Sequence, residues 1–424
     1  MADPVLNFEV VVVGAGPAGL AAACAAASRG PRVALLDETP WLGGQIWRGQ
    51  QARPASAAKK WFERFQKSGA TLIAGATVID FPADHVLLAE TSTGAVAVRW
   101  ERLILCTGAR ELFLPFPGWT LPGIVGPGGL QTLMKNGWPV TGQRALVAGS
   151  GPLLLVVADT LKRKGAQVGI IAEQASRNKV IGFGLRLSAH PAKLLQALIL
   201  RLRIFGIPCQ CGVWPVRAEG ADKIRSVTLT NGTRTWTEPC DIFACGFGLV
   251  PNVELPLGLG CKLKGDYVQV DEHQSTTVPG VFCAGELTGI GGADCALVEG
   301  QIAGYAAAGA KTNAETLFSR RAGWHKFREA LAQTFALRPE LKSLAKDDTL
   351  LCRCEDVPLG RVKPFSGWRE AKLQSRCGMG ACQGRVCGAA CKFLLGWGME
   401  SVRPPLLPAR VQTLIAGGMK SHGK

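Results

Sequence analysis

The first hundred residues alternate short apolar runs with glycine-rich breaks. Val10 to Val13 is an unbroken β-branched run, the pattern of a strand buried on both faces rather than one with a wet side. It leads directly into Gly14-Ala15-Gly16-Pro17-Ala18-Gly19, and Ala18 to about Ser28 then reads as an alanine-rich helix. A second apolar run, Val33 to Leu36, ends at Asp37 and Glu38. From Trp61 to Leu88 the pattern predicts helix, strand, turn and strand, and a further buried strand, Leu103 to Leu105, breaks at Thr107-Gly108. The opening pattern returns in the middle of the chain, where Arg144 to Ala148 runs into Gly149-Ser150-Gly151-Pro152-Leu153-Leu154 and Val168 to Ala172 ends on Glu173. Ile242 to Asn252 again takes a strand into a glycine turn. So does Val281 to Ala284, which is followed by Gly285-Glu286, by Gly289, Gly291 and Gly292, and by a helix from about Asp294 to Ala308.

Strands alternating with helices predict an α/β fold with two Rossmann-like units, and the glycine spacing gives their turns a chemistry. Gly14 permits the tight turn, Gly16 lets the backbone approach a pyrophosphate, and Gly19 lets the helix pack closely on the strand. Pro17 sits in the first helical turn, where its missing N–H costs nothing. The free N–H groups and positive dipole end of the helix suit phosphates. Asp37 follows Gly19 at the spacing of a carboxylate that holds ribose hydroxyls. The stretch reads as the ADP-binding end of a flavin site, against the alternative of a turn that binds nothing. Gly43-Gly44 would let backbone run close to a planar ligand while Gln45 and Arg48 offer hydrogen bonds; the alternative is a surface turn. In the second unit Leu154 replaces the third glycine, so helix and strand approach less closely. Glu173 would suit a ribose hydroxyl and repel a 2′-phosphate. That unit is either a site for NAD or another adenine nucleotide, or a retained fold with weakened binding.

Composition narrows the class. With 424 residues and 47% hydrophobic content, two or three full-sized domains are expected. The net charge of +16 suits nucleic acid, an anionic surface or an acidic protein partner. No Lys/Arg run is interleaved with aromatics and only two tyrosines occur, which argues against nucleic acid and leaves anionic cofactors and an acidic partner subunit. Val10 to Ala27 is uncharged throughout and long enough to suggest a membrane span. Its glycines and proline, the preceding Glu9 and the lack of a basic leader instead predict no span, no export and a cytoplasmic chain. The five histidines, at 85, 190, 273, 325 and 422, form no hydrolytic constellation, and no catalytic base is identified. No Cys-x-x-Cys lies near the flavin stretches, so a dithiol reductase is not expected.

Six of the fifteen cysteines fall between Cys352 and Cys391. Cys352 and Cys354 flank one residue in LLCRCEDV, Cys382 and Cys387 flank four in RCGMGACQGRVCG, and the segment 355–381 separates the pairs. Four thiolates so spaced can surround an iron–sulfur cluster or a structural zinc. Cys377 has the same spacing to Cys382 as Cys382 has to Cys387, so spacing alone leaves the ligand set open. Cys377 and Cys391 also read as buried thiols beside the cluster. Cys209 and Cys211, two apart in a strand, read as small core residues on one side of it.

GAGPAG with Asp37, LGGQ, LCTGA, GSGP, CGFGLVPN and CAGE followed by GIGG resemble, in that order, the two-dinucleotide-domain flavoproteins that include ferredoxin reductases and thioredoxin reductase. The resemblance spans most of residues 8 to 310. It implies FAD, with Gly14, Gly16, Pro17, Gly19, Asp37 and Glu38 at the ADP half. Gly44, Gln45, Arg48, Thr107 and Gly108 would then lie toward the flavin, and Gly285 and Glu286 at the ribityl and pyrophosphate. The second unit would carry Gly149, Gly151 and Glu173 at its nucleotide. The Cys-x-Cys and GMGxCQGxxC segments resemble the 2Fe-2S domain of the bacterioferritin-associated ferredoxin type, which implies Cys352, Cys354, Cys382 and Cys387 as ligands. Together the segments resemble the α subunit of heteromeric amino-acid and imino-acid dehydrogenases, a group with hydroxyproline and proline dehydrogenases, opine oxidases and hydrogen cyanide synthase. That implies a discontinuous FAD domain (1–118 and 246–345), an inserted NAD-like domain (119–245), a small helical 2Fe-2S domain (346–395) and a tail (396–424). It also implies a hetero-oligomer in which a catalytic flavoprotein β subunit, and in some members a small additional subunit, oxidises the amino or imino acid while this chain relays electrons. The rival readings are an NAD(P)H-dependent ferredoxin-type reductase and a non-catalytic electron-transfer scaffold.

Overall fold

The computed structural model describes residues 5–49, 56–398 and 402–416. These fall into two compact units, the first made of residues 5–110, 251–328 and 402–416, the second of 111–250 and 329–398.

In the first unit β1 (Leu6–Val13), α1 (Pro17–Ala27), β2 (Val33–Asp37), α2 (Ser56–Lys67), β3 (Thr71–Ala74), β4 (Thr77–Ala83), β5 (Val86–Glu90) and β6 (Ala95–Leu105) follow one another along the chain. The sheet order is β3-β2-β1-β6-β5-β4. Val281–Cys283 pairs in parallel with the C-terminal end of β6. β1 runs parallel to β2 and β6, with Val10 opposite Val33 and Val13 opposite Leu105. Its valines are buried on both faces: Val10 and Val12 pack with Leu20, Ala22 and Ala26, while Val11 and Val13 pack with Leu36 and Leu103. Each such side chain contributes about 1.5–3 kcal/mol. The helix Gly292–Ala307 lies on α1 with almost no space between the backbones. A Cβ on Gly300 would sit 2.1 Å from the Ala18 carbonyl oxygen, and one on Gly304 2.2 Å from that of Ala22.

The second unit holds a five-stranded parallel sheet in the order Cys209–Cys211, Gln167–Glu173, Arg144–Gly149, Ile242–Gly246, Ile124–Val125. Its helices include α3 (Pro127–Lys135), α4 (Leu153–Arg163), α5 (Arg177–Arg186) and α6 (Pro191–Arg203). Trp214–Gly220, Ile224–Thr230 and Thr235–Pro239 form an antiparallel sheet beside it. Cys209 and Cys211 lie on the edge strand and are half-buried, not core, although Cys209 packs against the apolar cluster around Ile171.

The compact units cut the chain elsewhere than at residues 118, 245 and 345. Residues 329–345, expected with the flavin domain, belong to the second unit. There Ser150 Oγ donates to the Phe335 carbonyl at 2.9 Å, the Arg338 guanidinium stacks 3.6 Å from the Trp214 ring centre, and Leu341 and Leu344 join a core with Phe116 and Phe243. The cysteine segment packs within the same unit: Trp119 Nε1 donates to the Leu350 carbonyl at 2.6 Å, and Val386 and Phe393 lean on that core. The described part of the expected tail is built into the first unit. Leu406 N–H donates to the Ile79 carbonyl and Thr413 Oγ1 to Glu90 Oε2. Among the described residues no helix is long and apolar enough to cross a membrane; the run from Val10 to Ala27 is strand, turn and helix.

Candidate functional site

The three glycines of the first fingerprint have separate jobs. Gly14 has φ +103° and its Cβ would lie 2.3 Å from the Cys106 carbonyl oxygen; a Cβ on Gly19 would lie 1.7 Å from the Gly14 oxygen. At Gly16 nothing lies within 4 Å of where a Cβ would be. That open space stands at the start of α1, whose N-cap is Gly16 and which no side chain caps, so its terminal N–H groups are available to an anion. This fits a pyrophosphate. Gly43 N–H donates to the Ala15 carbonyl, and a Cβ on Gly44 would meet Gly16 Cα at 3.0 Å, which lays the LGGQ turn against the fingerprint. Gln45 Oε1 accepts from Arg48, whose guanidinium stacks on Trp41.

The Asp37 carboxylate shapes the turn itself. Oδ2 accepts from Ala15 N–H, and Oδ1 accepts from the backbone and hydroxyl of Thr39 at 2.8 and 2.6 Å. Glu38 follows as an exposed residue. Thr107 stitches its turn to the returning chain: its Oγ1 donates to the Asn252 carbonyl at 2.9 Å and its own carbonyl accepts from Asn252 Nδ2 at 2.8 Å. Gly108 beside it has φ +66°. Arg110 fixes that Asn252 side chain and pairs with the buried Glu254 at 2.9 Å.

Sequence reasoning does not single out Glu299. It sits in an Ala- and Gly-rich helix, 1% exposed, and its Oε2 accepts from Gly285 N–H at 3.0 Å and Thr288 Oγ1 at 2.8 Å. Its Oε1 meets His325 Nε2 at 2.8 Å and Arg328 at 3.3 Å. Glu299 therefore holds the turn in which Gly285 and Glu286 are expected to contact a cofactor. A lone acid on the buried face of an apolar helix is the signal that could have found it. Glu286 itself is half-buried, and desolvation pushes its carboxyl up.

The second fingerprint is built alike but filled differently. A Cβ on Gly149 would lie 1.7 Å from the Gly246 oxygen, while Gly151, φ +102°, faces open space. Glu173 Oε2 accepts the Gly151 N–H at 2.7 Å and Oε1 that of Ala175 at 2.8 Å. Burial pushes this carboxyl up to about 7. Leu154 is buried in the core under α4 with Leu130 and Val147.

The cysteine segment brings two of the four expected ligands together with Cys377. The sulfurs of Cys352, Cys377 and Cys387 all lie within 4.8 Å of one another, and all three residues are buried. Cys377 thus stands beside two of the expected ligands, Cys352 and Cys387. Exposed Cys354 instead lies beside Cys382. The physical reason is local. Arg376 turns the chain left-handed (φ +66°) after the helix Trp368–Ser375 and points Cys377 inward, and Gly378 N–H donates to Cys352 Sγ at 3.5 Å. Hydrogen bonds with the Cys377 and Cys387 thiols push Cys352 below the usual thiol range. Cys391 also interacts with Cys377. Three buried cysteine sulfurs so close together fit a soft metal or an iron–sulfur cluster.

An open glycine turn between a buried parallel strand and a helix start is the arrangement of a dinucleotide-binding fold. The chain belongs to the pyridine nucleotide-disulphide oxidoreductase family, which matches residues 8–310 and binds FAD and NAD(P). It is 31% identical to an opine oxidase subunit of Rhizobium meliloti, over 95% of this chain and 97% of that one. It is 30% identical to hydrogen cyanide synthase subunit HcnB of Pseudomonas aeruginosa, over 91% and 92%. Its fold is similar to that of L-proline dehydrogenase from P. horikoshii, with TM-score 0.68, 20% identity, and 97% of this chain and 80% of that one covered.

Proposed function

We propose that this chain is the FAD- and 2Fe-2S-carrying subunit of a heteromeric dehydrogenase that oxidises an amino or imino acid of the hydroxyproline, proline or opine class. One observation carries the reading. The buried group around Cys352 lies beyond residues 8–310 yet within the 95–96% of the chain shared with the opine oxidase subunits. When bound, FAD accepts two electrons from a C–N oxidation and a 2Fe-2S cluster carries one at a time, so a chain with both joins two-electron to one-electron chemistry.

The protein's own part is to hold these groups. Gly16 and the first N–H groups of α1 receive the pyrophosphate. Asp37 keeps the turn in shape through Ala15 and presents its remaining acceptor capacity to the ribose. Glu299 fixes the Gly285 turn from behind. In the cysteine segment Cys352, Cys354, Cys382 and Cys387 ligate the cluster, and the Cys377 thiol donates to the Cys352 sulfur. Oxidation of the substrate belongs to a separate flavoprotein subunit.

The test is anaerobic purification with and without that subunit, followed by assay of flavin, iron and sulfide and by a screen of proline, hydroxyproline, opines and glycine. Flavin, iron and sulfide in the isolated chain, with amino-acid oxidation only in the complex, are expected. Zinc without iron or sulfide would overturn the cluster.

A further inference from the structure

A long stretch of the second unit carries basic but no acidic residues. No Asp or Glu occurs between Glu173 and Glu219, and α5 and α6 together carry Arg177, Lys179, Arg186, Lys193, Arg201 and Arg203. α6 buries none of its residues. Leu195, Leu198, Ile199 and Leu202 recur at i, i+3, i+4 and i+7, which puts them in one stripe along a helix about 20 Å long. All four are exposed, Leu202 by 74%, and Phe205 just beyond the helix by 82%. On α5, Ile181 and Leu185, one turn apart, are exposed as well.

The charges border the stripe. At 100° per residue, Arg201 and Arg203 fall on opposite sides of Leu202. Arg203 reaches the buried Asp159 only at 4.0 Å and keeps 59% of its side chain in solvent. Lys162 Nζ donates to the carbonyls of Arg203 and Phe205, at 2.9 and 2.8 Å, and so adds a positive charge at the helix end beside Phe205. Contiguous exposed apolar surface of this kind marks a contact site.

We infer that α6 lies on an anionic lipid surface, with its Leu/Ile stripe and Phe205 in the acyl boundary and Arg201 and Arg203 at the headgroups. The chemistry favours lipid over a protein partner. The stripe is aliphatic with one Phe, without the Trp, Tyr or Met anchors and hydrogen-bonding groups on which protein interfaces concentrate their energy. Basic side chains on both margins can extend their stems over apolar surface and leave their charge in the headgroup layer. Apolar insertion and attraction to anionic lipid add together. This inference does not depend on the cofactors.

The test is flotation of the full chain with vesicles of phosphatidylglycerol and phosphatidylcholine and with vesicles of phosphatidylcholine alone. Binding to the anionic vesicles is expected, weakened by high salt and reduced about tenfold or more in Leu198→Glu/Leu202→Glu. Arg201→Glu removes no apolar contact and should also weaken it. Circular dichroism checks that the variants fold. Absence of binding, equal binding to neutral vesicles, or variants that float as well as the wild type would overturn the inference. So would a wild-type dimer that Leu198→Glu/Leu202→Glu converts to monomer.

Discussion

Glu173 accepts the Gly151 N–H at 2.7 Å, whereas Asp37, at the matching strand end of the other unit, accepts the N–H of Ala15, one position earlier in its turn. The extra methylene of Glu173 carries its carboxyl to the N–H that a phosphate would need. The donor is thereby blocked, and once ionised the group also repels a pyrophosphate. NADH should therefore bind weakly and leave the flavin of the purified chain unreduced on the stopped-flow timescale. Rapid bleaching would restore the reductase reading.

Burial raises the Glu173 carboxyl to about 7 from 4.5. Between these values the folded protein holds a proton that the unfolded chain has released, so the contribution of this group to stability is complete below pH 4.5 and is lost as pH rises through 7. Between about pH 5 and pH 8 the wild type should lose roughly 2–3 kcal/mol that Glu173→Gln keeps. Urea unfolding of both proteins at the two pH values measures this, and parallel curves would contradict it.

Gly16 and Gly19 should fail in different ways. A side chain at Gly16 meets open space, so Gly16→Val should fold, with native circular dichroism, yet retain no FAD. Gly19→Val places carbon against the Gly14 carbonyl and should not yield folded protein. Full flavin content in Gly16→Val would remove the pyrophosphate from that turn.

The thiols can be separated by substitution. Cys382→Ser should abolish the visible iron–sulfur absorption while flavin remains. Cys377→Ala should keep the cluster but lower its reduction potential, because a donor to the Cys352 sulfur is lost. Redox titration followed by electron paramagnetic resonance reads both effects. Loss of the cluster in Cys377→Ala would make Cys377 a ligand.

Removing Glu299 leaves Arg328 and His325 without their shared acceptor. Breaking such a buried pair costs about 3–5 kcal/mol. Glu299→Ala should lose that much by urea unfolding and release flavin faster, while Glu299→Gln, which still offers Gly285 an acceptor, should lose less.

The elements around the first fingerprint are legible in the sequence because each residue reports on its neighbours. Val10 to Val13 announces a doubly buried strand, and the spacing from Gly19 to Asp37 a strand–helix–strand unit, which the structure contains within a residue or two. What escapes such reading depends on partners far along the chain. Ser150 meets the Phe335 carbonyl across 185 positions, and nothing near either residue foretells it, so local pattern groups 329–345 with the flavin domain. Cys377 and Cys382 share one spacing rule, and only the left-handed turn at Arg376 shows which of them faces Cys352. α6 has the periodicity of a core-facing helix, and only its exposure in the fold distinguishes it from one.

The close seating of Gly300 and Gly304 on α1 has a consequence for how the chain is made. α1 is mostly alanine and offers no polar face, yet the helix that covers it begins only at Gly292. At a usual rate of elongation the ribosome takes roughly fifteen to fifty seconds to bridge that gap. During that interval the nascent amino-terminal unit displays a bare apolar surface, so its yield in the cell should depend on chaperone supply and on translation speed across residues 28–291.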